Sequence, residues 1–143
     1  MKINDVVHGK SSQDVVTIGP DATVRDLVAL LAEHNVGALV VSDDGEHVIG
    51  LVSERDVVRH LHSDADVLEH PVRQIMTTDV RTCAAGDAVT DLMQTMTEHR
   101  IRHVPVVDDG RLTGIISIGD VVKSRIGELE FERDQLDTYL HQT

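Results

Sequence analysis

The sequence predicts a mixed α/β (α+β) fold made of two copies of one small unit. An acidic turn that ends in glycine occurs at 43–45 and again at 108–110. A Gly-Φ-Φ-Ser-x-x-Asp motif, in which Φ is apolar, occurs at 50–56 and again at 114–120. In each copy, β-rich runs alternate with helical patterns, which indicates a tandem duplication. Because half of 143 residues is close to the smallest size that buries a stable core, the two units are expected to pack on each other.

The first unit is predicted to run strand, helix, strand, turn, strand, helix. Residues 15–18 form a short β-rich run that Gly19 and Pro20 end. Thr23 is the predicted N-cap of the next helix, and Asp26 complements the start of that helix. Helical spacing predicts four residues on the inward face, namely Val24, Leu27, Val28 and Leu31.

The remaining strands follow the same scheme in both units. The apolar run at 36–41 is typical of a strand buried on both faces, and a returning strand is expected at 48–52. The second unit is predicted to have strands near 80–83, at 101–107 and at 112–116. Its helix is predicted to turn four residues inward, namely Val89, Leu92, Met93 and Met96.

Two further segments complete the predicted organisation. The linker at 60–78 is polar at first and apolar near its end, so it is expected to dock a short helix. After Val122 a long helix is predicted, because apolar residues recur at alternating steps of four and three. This seam consists of Val122, Ile126, Leu129, Arg133, Leu136 and Leu140. The predicted boundaries are 1–62 for the first repeat, 63–123 for the linker and second repeat, and 124–143 for the C-terminal helix.

An exposed apolar seam needs a surface that covers it. A homodimer is the preferred prediction, and the alternative is that the helix folds back on its own module.

Composition restricts the classes of function. A formal net charge of −12 disfavours general binding to nucleic acid or to an anionic membrane surface. The single cysteine, Cys83, excludes an internal disulfide, and no apolar signal region appears, so the cytoplasm is the expected location. Cys83 lies in a predicted strand and is expected to be buried rather than reactive. Phe131 and Tyr139 are the only aromatic residues, so no stacking platform for single-stranded nucleic acid is expected.

Catalytic and metal sites are not expected. The sequence contains no nucleophile–base pair, acid pair or Walker-type loop. His60, His62 and His70 lie on the predicted linker without a cysteine partner, whereas zinc normally takes four ligands of defined geometry. His34 and His99 end equivalent helices, where an imidazolium complements the helix dipole, so a structural role is expected for both.

The repeated motif behind two acidic turns resembles the paired cystathionine-β-synthase (CBS) domain module, or Bateman module, of the stand-alone bacterial type. The resemblance covers nearly all of residues 1–123. It implies two βαββα repeats related by a pseudo-twofold axis, with their sheets facing each other and two clefts between them. It also implies binding of adenosine nucleotides in those clefts, pairing of modules into homodimers, and regulation of another protein without catalysis.

The motif itself suits a nucleotide. Ser53 and Ser117 are predicted at strand-to-helix junctions, where unpaired backbone N–H groups favour phosphate. Asp56 and Asp120 can accept hydrogen bonds from the two ribose hydroxyls. The resemblance assigns the same roles. The alternative is that both serines are simply N-caps and both aspartates favourable first-turn acids, and this geometry is compatible with the site.

The two units differ just before the second strand. The resemblance implies that a basic pair before a hydrophobic–proline dipeptide faces the nucleotide phosphates. Arg102 and His103 match that pair, ahead of Pro105, whereas the first unit has Gly37 and Ala38 at these positions. Arginine is the better phosphate ligand, since its planar fork is always charged. Unequal binding by the two clefts is therefore expected.

Further residues complete the predicted site. Arg55 is a candidate phosphate ligand, although a solvated surface charge is the alternative for each cation. The resemblance adds Thr17 and Thr82, and Gly50 and Gly114 are expected to let the ligand approach closely. The predicted nucleotide-binding set is Thr17, Ser53, Arg55, Asp56, Thr82, Arg102, His103, Pro105, Ser117 and Asp120.

Two functions remain open from the sequence. The first is a regulatory sensor of AMP, ADP, ATP or NAD, with S-adenosylmethionine as a further ligand, which acts through ligand-dependent association with an effector protein. The second is a constitutive dimerisation or scaffold module with vestigial clefts. No cofactor is required by either, and an enzyme is disfavoured.

Overall fold

The structure, a computed structural model, describes residues 1–10 and 15–141. A short helix, α1 (Ile3–His8), precedes the first unit. The first unit contains β1 (Thr17–Ile18), α2 (Val24–His34), β2 (Ala38–Val41), β3 (Gly50–Ser53) and α3 (Glu54–Ser63). The second unit contains α4 (Val89–His99), β4 (His103–Asp108), β5 (Arg111–Ser117) and α5 (Ile118–Leu140). The predicted α+β fold with a C-terminal helix is confirmed.

Each unit has its own small sheet. In the first sheet, the central strand β2 pairs in parallel with β1 and antiparallel with β3. In the second sheet, β4 pairs antiparallel with β5. The strand predicted near 80–83 is wrong, since within it only Cys83 makes an isolated parallel bridge, to Val106. Residues 79–81 instead run along a cleft and contribute to its wall.

Local sequence explains how the helices begin. Three helices start with a capping box, formed by Thr23 and Asp26 in α2, Ser53 and Asp56 in α3, and Ser117 and Asp120 in α5. Each box satisfies two backbone N–H groups that the helix leaves unpaired. Helix α4 has Ala88 at this position and no side-chain cap, and the backbone N–H of Val89 donates to the carbonyl of Met1 (3.1 Å). The predicted inward faces are confirmed except at Val28, which is 40% exposed; Met93 is half-buried and packs against the core of the second unit.

The two cores exchange segments. Ile3 and Val6 of α1, with exposed fractions of 0% and 2%, pack in the core of the second unit. Val67, Val72 and Ile75 from the linker pack in the core of the first unit. The linker therefore docks two turns of 3₁₀ helix, Val67–Glu69 and Val72–Gln74, where one short helix was expected. The segment before the first unit thus completes the core of the second unit, and the linker before the second unit completes the core of the first.

The exchange follows one pattern of backbone hydrogen bonds. We call residues 1–10 the N-terminal arm and residues 70–79 the linker arm. The N–H of Val24 donates to His70 of the linker arm (2.9 Å), just as Val89 donates to Met1 of the N-terminal arm. Because the arms make equivalent contacts, equivalent arm residues differ by 69 in number, as His70 and Met1 do.

The last helix is longer than its repeat requires. Val121 is its one buried residue, and beyond it the seam is solvent-exposed, with 52% of Leu129 and 65% of Leu140 accessible. The alternative in which this helix folds back on its own module is therefore wrong. Helix α5 crosses the predicted boundary at 123–124 without a break, and the division into 1–62, 63–123 and 124–143 stays a prediction. Within residues 1–10 and 15–141, no helix combines the length and apolarity of a membrane span.

Candidate functional site

A cleft of about 880 Å³ opens between the two units. Its walls come from the β3–α3 junction and first turns of α3, from residues 77–81 of the linker, and from residues 99–103 between α4 and β4. We call it the Asp56 cleft. It brings together five residues of the predicted set, namely Ser53, Arg55, Asp56, Arg102 and His103.

The carboxylate of Asp56 is held at the start of α3. Its Oδ2 accepts hydrogen bonds from the Ser53 backbone N–H (2.8 Å) and the Ser53 hydroxyl (3.1 Å). The alternative interpretation, in which Ser53 and Asp56 cap helix α3, is thus correct, and it does not exclude a ligand. Capping uses one carboxylate oxygen, and Oδ1 accepts no hydrogen bond from residues 1–10 or 15–141. The second oxygen is therefore available to a ligand hydroxyl.

Arginine is concentrated in this cleft although the chain is strongly acidic. Five of the ten arginines line it, namely Arg55, Arg59, Arg81, Arg100 and Arg102. None of the five forms an ion pair with a carboxylate in the described part of the chain. Four arginines elsewhere do, in the pairs Arg25–Glu69, Arg73–Asp21, Arg125–Glu128 and Arg133–Asp134. Because three carboxylates face the five guanidinium groups, the lining carries an excess of positive charge that favours an anion.

His103 contributes to the cleft differently from Arg102. Burial lowers the pKa of His103 below its usual 6.5, although the nearby carboxylates of Glu54 and Asp120 act in the opposite direction. The imidazole is therefore neutral at neutral pH, and it can donate or accept a hydrogen bond but adds no charge. Gly37 makes room for this ring, since a Cβ at Gly37 would lie 3.3 Å from Cε1 of His103.

The second motif lies outside the Asp56 cleft. Asp120 accepts a hydrogen bond from the backbone N–H of Ser117 (2.9 Å) and forms an ion pair with Lys10 of the N-terminal arm (3.0 Å). Burial alone would raise the pKa of Asp120, but these two partners outweigh it and hold the pKa below its ordinary value. Asp120 is thus an ionised and internally paired group.

The other predicted residues do not line the Asp56 cleft. Thr17 lies half-buried in β1, and Thr82 is exposed and directly follows Arg81 of the cleft wall. Pro105 is buried in β4, where its carbonyl accepts from the backbone N–H of Cys83 (3.0 Å). Their nucleotide-binding role stays a prediction. The expectation for the two motif glycines is corrected, because the protein itself fills the space: Met76 lies against Gly50 and Val7 against Gly114.

Several charged cleft residues were missed by sequence reasoning, among them Arg59, Asp79, Arg81 and Arg100. Arg59 follows Arg55 by one helical turn, and this spacing is a signal that was present. Arg100 is the left-handed C-cap of α4 (φ 53°) and corresponds to Asn35 at the end of α2 (φ 51°). Arg81 lies in the segment 80–83 that was mispredicted as a strand, and Asp79 directly precedes that segment.

Cys83, His60 and His70 lie outside the cleft and have structural partners. Burial raises the pKa of Cys83 to about 12, which fits the expected unreactive thiol. His60 and His62 lie on α3, not on the linker, and Nδ1 of His60 is 2.8 Å from the carbonyl of Asp56. Nδ1 of His70 lies 3.5 Å from a carboxylate oxygen of Asp64.

A different exposed group could present ligand atoms to a cation, namely Asp44, Glu46 and His47. The carboxylate of Asp44 already accepts from the backbone N–H groups of His47 and Glu46, which lowers its pKa. These contacts order the turn at 44–47, and this structural role accounts for the closeness of the three side chains.

Comparison with known proteins identifies a family whose paired repeats match the two units described above. The family model described as CBS domain matches residues 3–63 and 72–127. A 17.7 kDa protein of Acidianus ambivalens is 35% identical over 111 residues, covering 77% of this chain and 66% of the relative. The mitochondrial CBS domain-containing protein CBSX3 of Arabidopsis thaliana is 38% identical over 125 residues, covering 84% of this chain and 61% of the relative. The chain thus spans slightly less than two thirds of the length of these two relatives.

A solved structure shares this architecture at higher identity. The CBS-domain containing protein ATU1752 from Agrobacterium tumefaciens is 41% identical and superposes with a TM-score of 0.82. The match covers 87% of this chain and 99% of that protein.

Proposed function

Because this chain belongs to the CBS domain family, we propose that it is a regulatory module that binds an adenosine nucleotide in the Asp56 cleft. One observation carries the proposal: five arginines without carboxylate partners in the described residues converge on one cleft of a protein with a net charge of −12. Collecting like charges in a cleft is unfavourable unless an anion compensates them. Family membership supports the choice of an adenosine nucleotide as that anion.

The cleft offers a group for each part of such a ligand. The free oxygen of Asp56 accepts from the ribose hydroxyls, and Arg102 and Arg55 bind the phosphates with the positive end of the α3 dipole nearby. His103 donates a hydrogen bond as a neutral imidazole. A volume of about 880 Å³ is in the usual range for small-molecule sites.

The charge of the cleft lining restricts the class of ligand that it favours. The arginine lining favours ligands with phosphate groups, namely AMP, ADP, ATP and NAD, over the cationic S-adenosylmethionine. The ligand acts as a regulator, so no cofactor is required and no reaction is assigned to the cleft. We place the module in the cytoplasm, where its ligand changes its association with an effector protein. Its negative charge argues against nucleic acid and membrane partners.

The α5 seam supports a homodimer as the assembled form. Five apolar seam residues are about half exposed or more, namely Val122, Ile126, Leu129, Leu136 and Leu140. Lys123 and Arg125 lie near the start of α5, whereas the acidic residues Glu130, Glu132, Asp134 and Asp137 lie further along it. An antiparallel pair of helices would place the basic part of each copy against the acidic part of the other.

A thermal-shift assay tests the nucleotide proposal. A ligand at about a hundred times its Kd adds roughly 2.7 kcal/mol, which corresponds to a rise in Tm of roughly 5–11 °C at this chain length. The chain has no tryptophan and one tyrosine, so ultraviolet absorbance easily reveals a copurified nucleotide. If nucleotide-free protein keeps its Tm with millimolar AMP, ADP, ATP and NAD, the sensor proposal is refuted and the scaffold with vestigial clefts is favoured.

A further inference from the structure

Lys10 gives Asp120 a partner that Asp56 does not have. The Lys10 ammonium donates to the carbonyl of Ile115 (2.9 Å) and lies 3.0 Å from Oδ2 of Asp120. Both side chains are mostly shielded, at 25% and 23% exposure. The oxygen that Lys10 contacts also accepts from the backbone N–H of Ser117. Two internal donors, one of them charged, thus hold this carboxylate.

The equivalent place in the first unit is filled by main chain. Leu51 corresponds to Ile115, because their cross-strand partners, Val40 and Pro105, are equivalent. The carbonyl of Leu51 accepts from the backbone N–H of Thr77 (2.9 Å), whereas the carbonyl of Ile115 accepts from Lys10. The lysine ammonium therefore uses an acceptor that is occupied by the linker arm in the other unit, and from there it also reaches the aspartate.

The two arms carry opposite charges at this point. Met76 packs on Gly50, and Val7 packs on Gly114, so these two arm residues are equivalent. Three residues further along each arm come Asp79, which lines the cleft with Asp56, and Lys10, which pairs with Asp120. One arm thus leaves its motif aspartate without a cation, and the other arm neutralises it.

We propose that Lys10 closes the second motif to ribose, so that the module binds one nucleotide per chain, at Asp56. This inference rests on the proposed function. Ser117 and Lys10 both contact Oδ2 of Asp120, and Lys10 already compensates the charge of this shielded carboxylate. A ribose hydroxyl at Asp120 would therefore donate to a neutralised carboxylate, and that hydrogen bond is weaker than one to a carboxylate whose charge is uncompensated. Among residues 1–10 and 15–141, Asp56 forms no ion pair, and it lines the arginine-rich cleft.

Isothermal titration calorimetry with ATP on the nucleotide-free full chain tests the proposal through stoichiometry. The unmodified protein is expected to bind one ATP per chain, and Lys10→Ala two. Asp56→Ala is expected to lose the site at the first motif, and the double variant Lys10→Ala, Asp56→Ala to bind one ATP at Asp120. Lys2→Ala removes a lysine from the same arm, away from Asp120, and is expected to keep one site.

Charge reversal on the other arm provides an independent measurement. Asp79→Lys introduces a cation at the equivalent point of the linker arm and is expected to weaken binding of adenosine at Asp56 at least tenfold. Adenosine is the probe because it has no phosphate groups that the added cation would attract. Lys10→Gln keeps the length of the side chain and replaces the alanine variant if that variant does not fold.

The outcomes separate the two ideas. Two ATP molecules bound by the unmodified chain, or one bound by a folded Lys10→Ala variant, would overturn the role of Lys10 and leave the proposed function standing. No binding by any of these folded variants would refute the proposed function as well.

Discussion

Replacing Asp56 by alanine separates ligand binding from helix capping, because the molecule contains its own control. Asp56 and Asp120 each close a capping box with the serine three residues earlier, through N–H to Oδ2 distances of 2.8 and 2.9 Å. Each alanine variant therefore loses the same cap, at a cost in folding free energy of about 0.5–1 kcal/mol. Of the two, only Asp56 lines the arginine-rich cleft, so its replacement should change nucleotide affinity far more than that of Asp120.

The size of the effect follows from the contacts. Hydrogen bonds to a charged group contribute about 1.5–3 kcal/mol, so Asp56→Ala should raise the Kd for the nucleotide by roughly 12- to 150-fold. Asp120→Ala should change this Kd far less, since Asp120 pairs with Lys10 and influences the cleft only through its charge near His103. It should cost slightly more stability than Asp56→Ala, because it also removes the ion pair, which is worth at most about 1 kcal/mol.

Calorimetry measures both affinities, and urea unfolding measures both stabilities. Equal losses of affinity in the two variants would refute the reasoning, because the cap is all that they share. An unchanged Kd in Asp56→Ala would show that its carboxylate does not hold the ligand.

Two further predictions concern assembly and acid stability. Truncation after Arg125 removes most of the α5 seam and should convert a dimer to a monomer with an intact module, as judged by analytical ultracentrifugation and circular dichroism. A full-length chain that is monomeric at tens of micromolar would contradict the proposed role of the seam in dimerisation. A truncated chain that stays dimeric would show that the dimer interface lies elsewhere. The lowered folded-state pKa of His103 means that the unfolded chain binds more protons below pH 6.5, so stability should decrease as the pH falls through that value, and His103→Gln should make this decrease shallower in urea titrations. An identical pH profile in the variant would show that His103 does not contribute.

Much of the fold could be predicted because the relevant signals are local. The two motifs, the acidic turns and the capping boxes at Thr23 and Ser53 depend on residues close together in the chain. The exchange of arms could not be predicted, since periodicity shows that Ile3 or Val72 has an apolar environment but not which of two similar cores provides it. The strand near 80–83 failed for a related reason, because extended chain lining a cleft and extended chain in a sheet have the same local pattern.

In the candidate site, too, the residues set by local sequence could be predicted and those brought together by tertiary structure could not. The motif placed Ser53 and Asp56 at a helix start, where the structure has them. The partner of Asp120 was missed because 110 residues separate it from Lys10 and no local rule connects them. The arginine cluster also escaped, since Arg59, Arg81 and Arg100 belong to three segments that only the tertiary structure brings together.

The exchanged arms also affect how the chain folds during synthesis. Ile3 and Val6 leave the ribosome before either unit, but the core that buries them includes Val89, Ile116 and Val121, which emerge after the first unit. These apolar residues must therefore stay unburied, or be held by other factors, until most of the chain has been made. Such contacts between distant parts of the chain slow folding. The first unit can close once Ile75 has emerged, so folding from the ribosome is expected to proceed with the first unit ahead of the second.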